Sequence, residues 1–182
     1  MRPVELFFVI TWSVFWLYWL IAAFSMKRGR VQRSRDLRIR VVIVVMAVIL
    51  PRFGVFRSNP VNTDLWSEAL GIVLFVLGLG FAIWARVQIG RNWGTPMTQK
   101  DEPELVTSGP YRLVRHPIYS GILVAGLGTA IAMSWVWLIA VGLAGIYFLY
   151  SATVEERYLT EQFPDSYPAY KRCTKRLLPF II

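Results

Sequence analysis

The residues best suited to chemistry lie in a motif at positions 105–121, which contains the only histidine of the chain. The motif reads Leu-Val-Thr-Ser-Gly-Pro-Tyr-Arg-Leu-Val-Arg-His-Pro-Ile-Tyr-Ser-Gly. Pro117 is well suited to the first position of a helix, because its missing N–H would have no partner there. We therefore expect Arg115 and His116 at the N-terminal end of that helix, where unpaired backbone N–H groups and the helix dipole favour a carboxylate or phosphate.

Two adjacent acidic residues, Glu155 and Glu156, supply the opposite charge some forty positions later. Successive helix residues point about 100° apart, so only one of them is expected to enter a pocket while the other pairs with Arg112 or Arg115. A pocket that offers both an anion site and a carboxylate suits a zwitterionic amino-acid group, such as that of S-adenosylmethionine. The same features suit part of a dinucleotide, so the residues alone leave both ligands open.

The elements that must position these residues are membrane helices, because 55% of the 182 residues are hydrophobic and they come in long blocks. The net charge of +9 comes from basic residues in the gaps between those blocks. This distribution is typical of a membrane topology signal rather than of nucleic-acid binding. With one cysteine, Cys173, and one histidine, neither a disulfide nor a multi-cysteine or histidine-rich metal site is expected. The expected partner is therefore the lipid bilayer, with no nucleic acid and no metal.

We predict an all-α integral membrane protein with about five transmembrane helices. The first three spans are predicted at Val4–Met26, Leu37–Phe56 and Leu65–Ile89. Residues 117–150 then form one apolar run. A single helix of that length would reach ~51 Å, well beyond a ~30 Å hydrocarbon core. The run therefore predicts a helical hairpin of two spans with its turn near Met133 and Ser134.

The distribution of basic residues predicts an orientation for these spans. With the N-terminus outside, seventeen of the twenty Lys and Arg residues lie on the cytosolic side, which satisfies the positive-inside rule. Both ends of the hairpin, and hence His116 and Glu155, then share the cytosolic face. We expect one domain over 1–182, with three spans in 1–89 and a catalytic part with a cytosolic cofactor pocket in 90–182. The expected location is the cytoplasmic membrane for a prokaryotic source and the endoplasmic reticulum for a eukaryotic one.

The sequence also predicts structural roles for some residues of the third span and of the segment after it. Gly71, Gly78 and Gly80 would permit close contacts between helices. Arg86 is expected to face lipid headgroups. Two roles are compatible with the sequence for Trp93, an interfacial anchor or a pocket wall.

The motif at 105–121 resembles the signature Leu-Val-Thr-x-Gly-x-Tyr…Arg-His-Pro-x-Tyr-x-Gly of isoprenylcysteine carboxyl methyltransferase and phospholipid methyltransferase-like membrane enzymes. Three later patterns match in order and approximate spacing: Glu-Glu-x-x-Leu from Glu155, Tyr-x-x-Tyr-Lys from Tyr167, and Leu-Pro-Phe-Ile from Leu178. The resemblance begins near Asn92 and extends to the C-terminus. The first three spans match in character only.

The resemblance implies that S-adenosylmethionine binds at the cytosolic face under the hairpin, while a methyl acceptor enters from the bilayer. Carried over by position, the residues that would line the cofactor pocket are Leu105, Val106, Tyr111, His116, Pro117, Ile118, Tyr119 and Glu155. A glutamine is also expected there, and Gln99 is the nearest candidate. This chain departs from the pattern at Ser151, where an arginine suited to a substrate carboxylate is expected, and at Cys173, where a basic residue is expected.

These residues predict in-line transfer of the sulfonium methyl group to an oxygen, nitrogen or sulfur nucleophile on a lipophilic or small acceptor. A carboxylate acceptor needs only a cation to hold it, and Arg115 or Arg172 is the candidate. An amine or thiol must lose a proton, for which Glu156 or a tyrosine is the nearest group.

Two other classes of function are compatible with the sequence. A membrane sterol or steroid reductase that uses NADPH has a similar Arg-His-Pro-x-Tyr segment, although the short chain and the glutamate pair count against it. A lipid-binding or structural membrane protein without catalytic activity is the non-enzymatic alternative, and it predicts no dependence on His116.

Overall fold

The computed structural model describes residues 2–23, 29–31, 64–93, 98–100 and 104–178. Within these ranges the chain is mainly helical, as predicted. The helices are α1 (Pro3–Ala23), α2 (Leu65–Ile89), α3 (Pro117–Ala132), α4 (Trp137–Gln162) and α5 (Ser166–Cys173). Single 3-10 turns occur at Gly90–Asn92 and Gly109–Arg112, and two short strands, β1 (Gly29–Val31) and β2 (Thr98–Lys100), pair in antiparallel fashion.

Three of the described helices, α1, α2 and α4, are long and apolar enough to cross a membrane, and α3 is a shorter apolar helix of 16 residues. The protein is therefore an all-helical integral membrane protein. The observed bounds of α2 coincide with the predicted third span. The predicted second span, 37–56, lies outside the described residues.

The predicted hairpin is present, since α3 ends at Ala132 and α4 begins at Trp137. Ser134 forms the turn: its carbonyl accepts from the backbone N–H of Trp137 at 3.0 Å, and its hydroxyl accepts from the N–H of Val136 at 3.4 Å. Because the chain doubles back here, the start of α3 and the second half of α4 lie at the same end of the molecule. This arrangement brings the histidine motif to the glutamate pair.

Helices α2 and α3 pack against each other through glycine. A Cβ atom at Gly78 would lie 2.5 Å from the backbone nitrogen of Ala125, and one at Gly128 would lie 2.5 Å from the carbonyl oxygen of Gly71. Such distances require hydrogen as the side chain, so Gly71 and Gly78 have the predicted packing role. The same prediction is wrong for Gly80, where a Cβ would meet nothing within 4 Å.

Helix α1 packs against this pair through aromatic side chains. The ring of Phe75 on α2 lies 4.6 Å from that of Phe8 and 5.4 Å from that of Trp12. Trp12 donates its indole N–H to the hydroxyl of Thr129 on α3 at 3.2 Å. The last turns of α1 thereby lie close to the end of α2 and the start of α3.

After α5 the chain returns to the start of α3 as a short C-terminal strap, residues 174–177. Lys175 forms a parallel bridge with Val114. The backbone N–H groups of Arg115 and His116 donate to the carbonyls of Lys175 and Arg176 at 2.8 and 3.0 Å. The strap therefore fixes the backbone of the histidine motif at the start of α3.

Candidate active site

A cavity of about 390 Å³ lies where the ends of α1, α2, α3 and α4 meet α5 and the segment before α3. Eight of the nine residues predicted to bind the cofactor line it: Leu105, Val106, Tyr111, His116, Pro117, Ile118, Tyr119 and Glu155. The ninth, Gln99, pairs through its backbone with Arg30 in the β1–β2 ribbon, and its side chain lies outside the described part of the chain. The structure thus gathers residues that are up to fifty positions apart in sequence.

His116, Tyr119 and Glu155 form a connected group on the wall of this cavity. The hydroxyl of Tyr119 donates to Glu155 Oε1 at 2.6 Å, and His116 Nδ1 lies 3.4 Å from Glu155 Oε2. The rings of His116 and Tyr119 are parallel with centroids 5.4 Å apart, and Phe148 continues the stack at 4.4 Å from Tyr119. Two partners and a rigid aromatic stack therefore fix the orientation of the Glu155 carboxylate.

Glu156 points away from the cavity into a group of cations. Its carboxylate lies 2.9 Å from Arg115 Nε, 3.0 Å from both Nε and Nη2 of Arg176, and 3.1 Å from Lys171 Nζ. His116 Nε2 is 3.5 Å away. As predicted, one glutamate enters the pocket while the other pairs with Arg115.

This network shows the surroundings of the three residues predicted to be catalytic, whose roles stay predictions. Glu156 is 3% exposed and surrounded by positive charge, which stabilises its ionised form and makes it unsuited to accept a proton. Arg115 lines the cavity, but its guanidinium is bound to Glu156 and to the carbonyls of Lys171 and Thr174. Arg172 lies exposed on α5 and does not line the cavity, whereas Tyr167 and Tyr170 of the same helix do.

The network also contains a residue that the sequence analysis missed. Arg176 binds both oxygens of Glu156 and donates to the hydroxyl of Thr153 at 3.2 Å. Its position near the C-terminus gave no signal, since only the return of the strap brings it to α4. The structure also describes the two positions that depart from the family pattern. Ser151 is fully buried, and its hydroxyl has no hydrogen-bond partner among the described residues, while Cys173 is exposed.

The electrostatics of the site favour a charged histidine and neutral tyrosines. Burial lowers the pKa of His116, but hydrogen bonds and charge from Glu155 and Glu156 outweigh it, so the pKa is raised above the ordinary value. Burial raises the pKa of Tyr111, and it raises the pKa of Tyr170 to about 12. These tyrosines therefore act as hydrogen-bonding groups at neutral pH, as Tyr170 does towards the carbonyl of Tyr111 at 2.6 Å.

Tryptophans from α1 and from the end of α2 form the opposite wall. Trp19 and Trp93 both line the cavity, with their rings edge to face at 6.0 Å. Trp93 is thus a cavity wall, which decides between the two roles left open above. Arg86 does not face headgroups as expected: it is 5% exposed, lies 4.6 Å from the Trp93 ring centre, and donates to the carbonyls of Gly90 and Ala22. The cation–π contact and these hydrogen bonds stabilise the buried guanidinium in place of contact with water.

The fold and cavity define an integral membrane protein with a cavity of small-molecule size at one end of a helical hairpin. Comparison with known proteins identifies the family to which the chain belongs. The profile of the phospholipid methyltransferase family matches residues 66–166, more than half of the chain. The chain belongs to this family.

Three relatives carry different names. The chain is 32% identical over 134 residues to the protein-S-isoprenylcysteine O-methyltransferase of Schizosaccharomyces pombe, covering 71% of this chain and 56% of that one. It is 32% identical over 142 residues to a cobalt-zinc-cadmium resistance protein of Cupriavidus metallidurans, covering 76% and 60%. It is 30% identical over 123 residues to the methanethiol S-methyltransferase of a Pseudomonas species, covering 63% and 47%. The chain thus spans about half to three fifths of the length of these relatives.

Proposed function

We propose that this protein is an S-adenosylmethionine-dependent methyltransferase that acts on a lipophilic or small acceptor at the membrane surface. The observation that carries the proposal is the Glu155 carboxylate, which Tyr119 and His116 hold on the wall of a cavity of about 390 Å³. A fixed carboxylate beside aromatic surface suits a ligand that combines positive charge with a nucleoside. Family membership favours methyl transfer over the NADPH-dependent reductase alternative.

The residues of the cavity fit both ends of this cofactor. Glu155 would bind the α-amino group, and the positive end of the α3 dipole, whose first residues Pro117 and Ile118 line the cavity, would face the carboxylate. Trp19, Trp93 and Leu105 offer apolar surface for the nucleoside. When bound, the cofactor supplies a methyl group already activated on its sulfonium.

The protein's own contribution is then orientation and exclusion of water rather than acid–base chemistry. Glu156 and Arg115 are bound to each other, and the pKa of Tyr111 is raised by burial. None of these groups is poised to move a proton at neutral pH. Alignment of donor and acceptor in a dry site is sufficient for an acceptor that reaches the cavity as an anion, such as a carboxylate or thiolate.

A second cavity supports a lipophilic acceptor. It has a volume of about 430 Å³, lies between α1, α3 and α4, and is lined almost entirely by apolar side chains. It shares Trp16 and Ile122 with the first cavity, so an apolar chain between the helices would end at the methyl donor. The relatives named for isoprenylcysteine and methanethiol methylation are consistent with acceptors that range from prenylated to small.

Methyl transfer from labelled S-adenosylmethionine tests this function. Purified protein in lipid nanodiscs would be offered a prenylcysteine carboxylate, an alkyl thiol and an aminophospholipid. We expect transfer to at least one acceptor and its loss in Glu155→Gln. Glu161→Gln is the matched control, because Glu161 lies on the same helix but is exposed and pairs only along the surface with Arg157. Absence of transfer together with absence of nucleoside binding would favour the lipid-binding alternative.

A further inference from the structure

The strap holds His116 from two directions. Through the backbone, the N–H of His116 donates to the carbonyl of Arg176 at 3.0 Å. Through the side chain, the Arg176 guanidinium binds Glu156 at both oxygens, and Glu156 Oε1 lies 3.5 Å from His116 Nε2. One residue therefore contacts both the main chain of the histidine and the carboxylate beside its ring.

The geometry of Arg176 is specific to a guanidinium. Its Nε and Nη2 bind the carboxylate in a two-pronged arrangement at 3.0 Å each, while Nη1 reaches Thr153 at 3.2 Å. A lysine ammonium at the same position supplies the charge but not the planar fork that fixes the carboxylate plane. Arg115 binds the same Oε1 from the other side at 2.9 Å, so the plane of Glu156 is set by two guanidinium groups.

Loss of the two-pronged contact between Arg176 and Glu156 would affect the imidazole ring of His116. Glu156 is 3% exposed, and without Arg176 it would rotate towards its remaining partners Arg115 and Lys171. Rotation would change the distance from Glu156 Oε1 to His116 Nε2. Because His116 Nδ1 also faces Glu155, a turn of the ring would then move the carboxylate that lines the cavity.

We propose that Arg176 is a positioning residue for the cofactor site, setting the orientation of His116 through the strap and through Glu156. This inference rests on the proposed function, since it assigns to Arg176 a part in binding S-adenosylmethionine. Arg176 itself does not line the cavity. Its action is therefore through His116 and not through contact with the ligand.

The single histidine makes the test unusually direct. In protein labelled with ¹⁵N only at histidine and carrying no histidine tag, the imidazole resonances report His116 alone. These resonances would be compared in the wild type, Arg176→Met, Arg176→Lys and Arg157→Met. The last variant is the control, because it removes an arginine–glutamate pair from the exposed face of α4.

We expect Arg176→Met to shift the imidazole resonances and to weaken S-adenosylhomocysteine binding by about tenfold or more, the effect expected of a misplaced binding group. Arg176→Lys should restore the charge and only part of the affinity, while Arg157→Met should match the wild type in both measurements. If Arg176→Met is folded by size-exclusion chromatography and has wild-type resonances and affinity, the inference is wrong. If wild-type protein does not bind the nucleoside, the proposed function fails, and the resonances still decide whether Arg176 positions His116.

Discussion

At the scale of single residues, the adjacent carboxylates of Glu155 and Glu156 have different surroundings. Glu155 is partly exposed to a cavity and is bound by a tyrosine and a histidine. Glu156 is buried among Arg115, Lys171 and Arg176. The first carboxylate therefore faces the cavity, whereas the second lies among the protein's own cations.

Glu156 should matter more for stability than for binding chemistry. Glu156→Gln removes the charge that compensates two arginines at its carboxylate, so we expect a loss of about 3–5 kcal/mol in the free energy of unfolding. The exposed Glu161→Gln on the same helix should cost no more than about 0.5 kcal/mol. Chemical unfolding in mild detergent measures both. Equal stability of the two variants would show that the buried network contributes little.

His116 should make stability depend on pH. Its pKa is raised in the folded state, because the hydrogen bonds and charge of Glu155 and Glu156 outweigh the effect of burial. A raised folded pKa means that its contribution is fully present below the ordinary imidazole value and is lost as pH rises through the folded value. Thermal midpoints of the wild type and His116→Gln, measured from pH 6 upwards in about one-unit steps, should therefore converge. A gap that widened with rising pH would contradict this sign.

Side-chain surroundings were only partly predictable from the sequence. A 100° spacing predicts that one glutamate turns inward, yet it does not say which one. Arg86 lies in the last turn of an apolar span, where a contact with lipid headgroups is expected, but its guanidinium lies against Trp93 and the end of α1. Both outcomes depend on which partner residues meet in space, and local sequence carries no such information.

At the scale of elements, the α3–α4 hairpin and the close packing of α2 on α3 determine the site. The length of the apolar run predicts the hairpin, because a single helix of that length does not fit a bilayer. The strap could not be predicted, since four residues after a short amphipathic helix have no periodicity to interpret. Its position became evident only from the bridge between Val114 and Lys175.

The α2–α3 contact makes a prediction with an internal control. Gly78→Ala would place a methyl group 2.5 Å from the backbone nitrogen of Ala125, whereas Gly80→Ala adds one where nothing lies within 4 Å. The first change should separate the helices and cost about 1–3 kcal/mol, as overpacking does. The second should be neutral or slightly stabilising, because alanine favours the helix over glycine. Thermal unfolding of both variants measures the difference, and a stable Gly78→Ala would contradict the contact.

At the scale of the whole molecule, the ends of the membrane helices gather all the charged groups of the site at one face. The positive-inside rule predicts that this face lies in the cytosol. Cys173 is exposed at this end of the chain and is its only cysteine. It therefore offers a single chemical label for orientation.

We predict that a membrane-impermeant maleimide labels Cys173 in inverted membrane vesicles but not in intact cells. Cys173→Ser is the control for labelling elsewhere. Labelling from the outside of intact cells would place the cofactor site on the wrong side for a cytosolic methyl donor.

The measurement that tests the account most directly is the equilibrium binding of S-adenosylmethionine to the purified protein. We expect saturable binding to the wild type and to Glu161→Gln. Binding should be weakened about 10- to 100-fold in Glu155→Gln, as expected when a hydrogen bond to a charged group is lost. Absence of binding to the wild type, or equal affinity in Glu155→Gln, would contradict the claim that the Glu155 carboxylate beneath the hairpin holds the methyl donor.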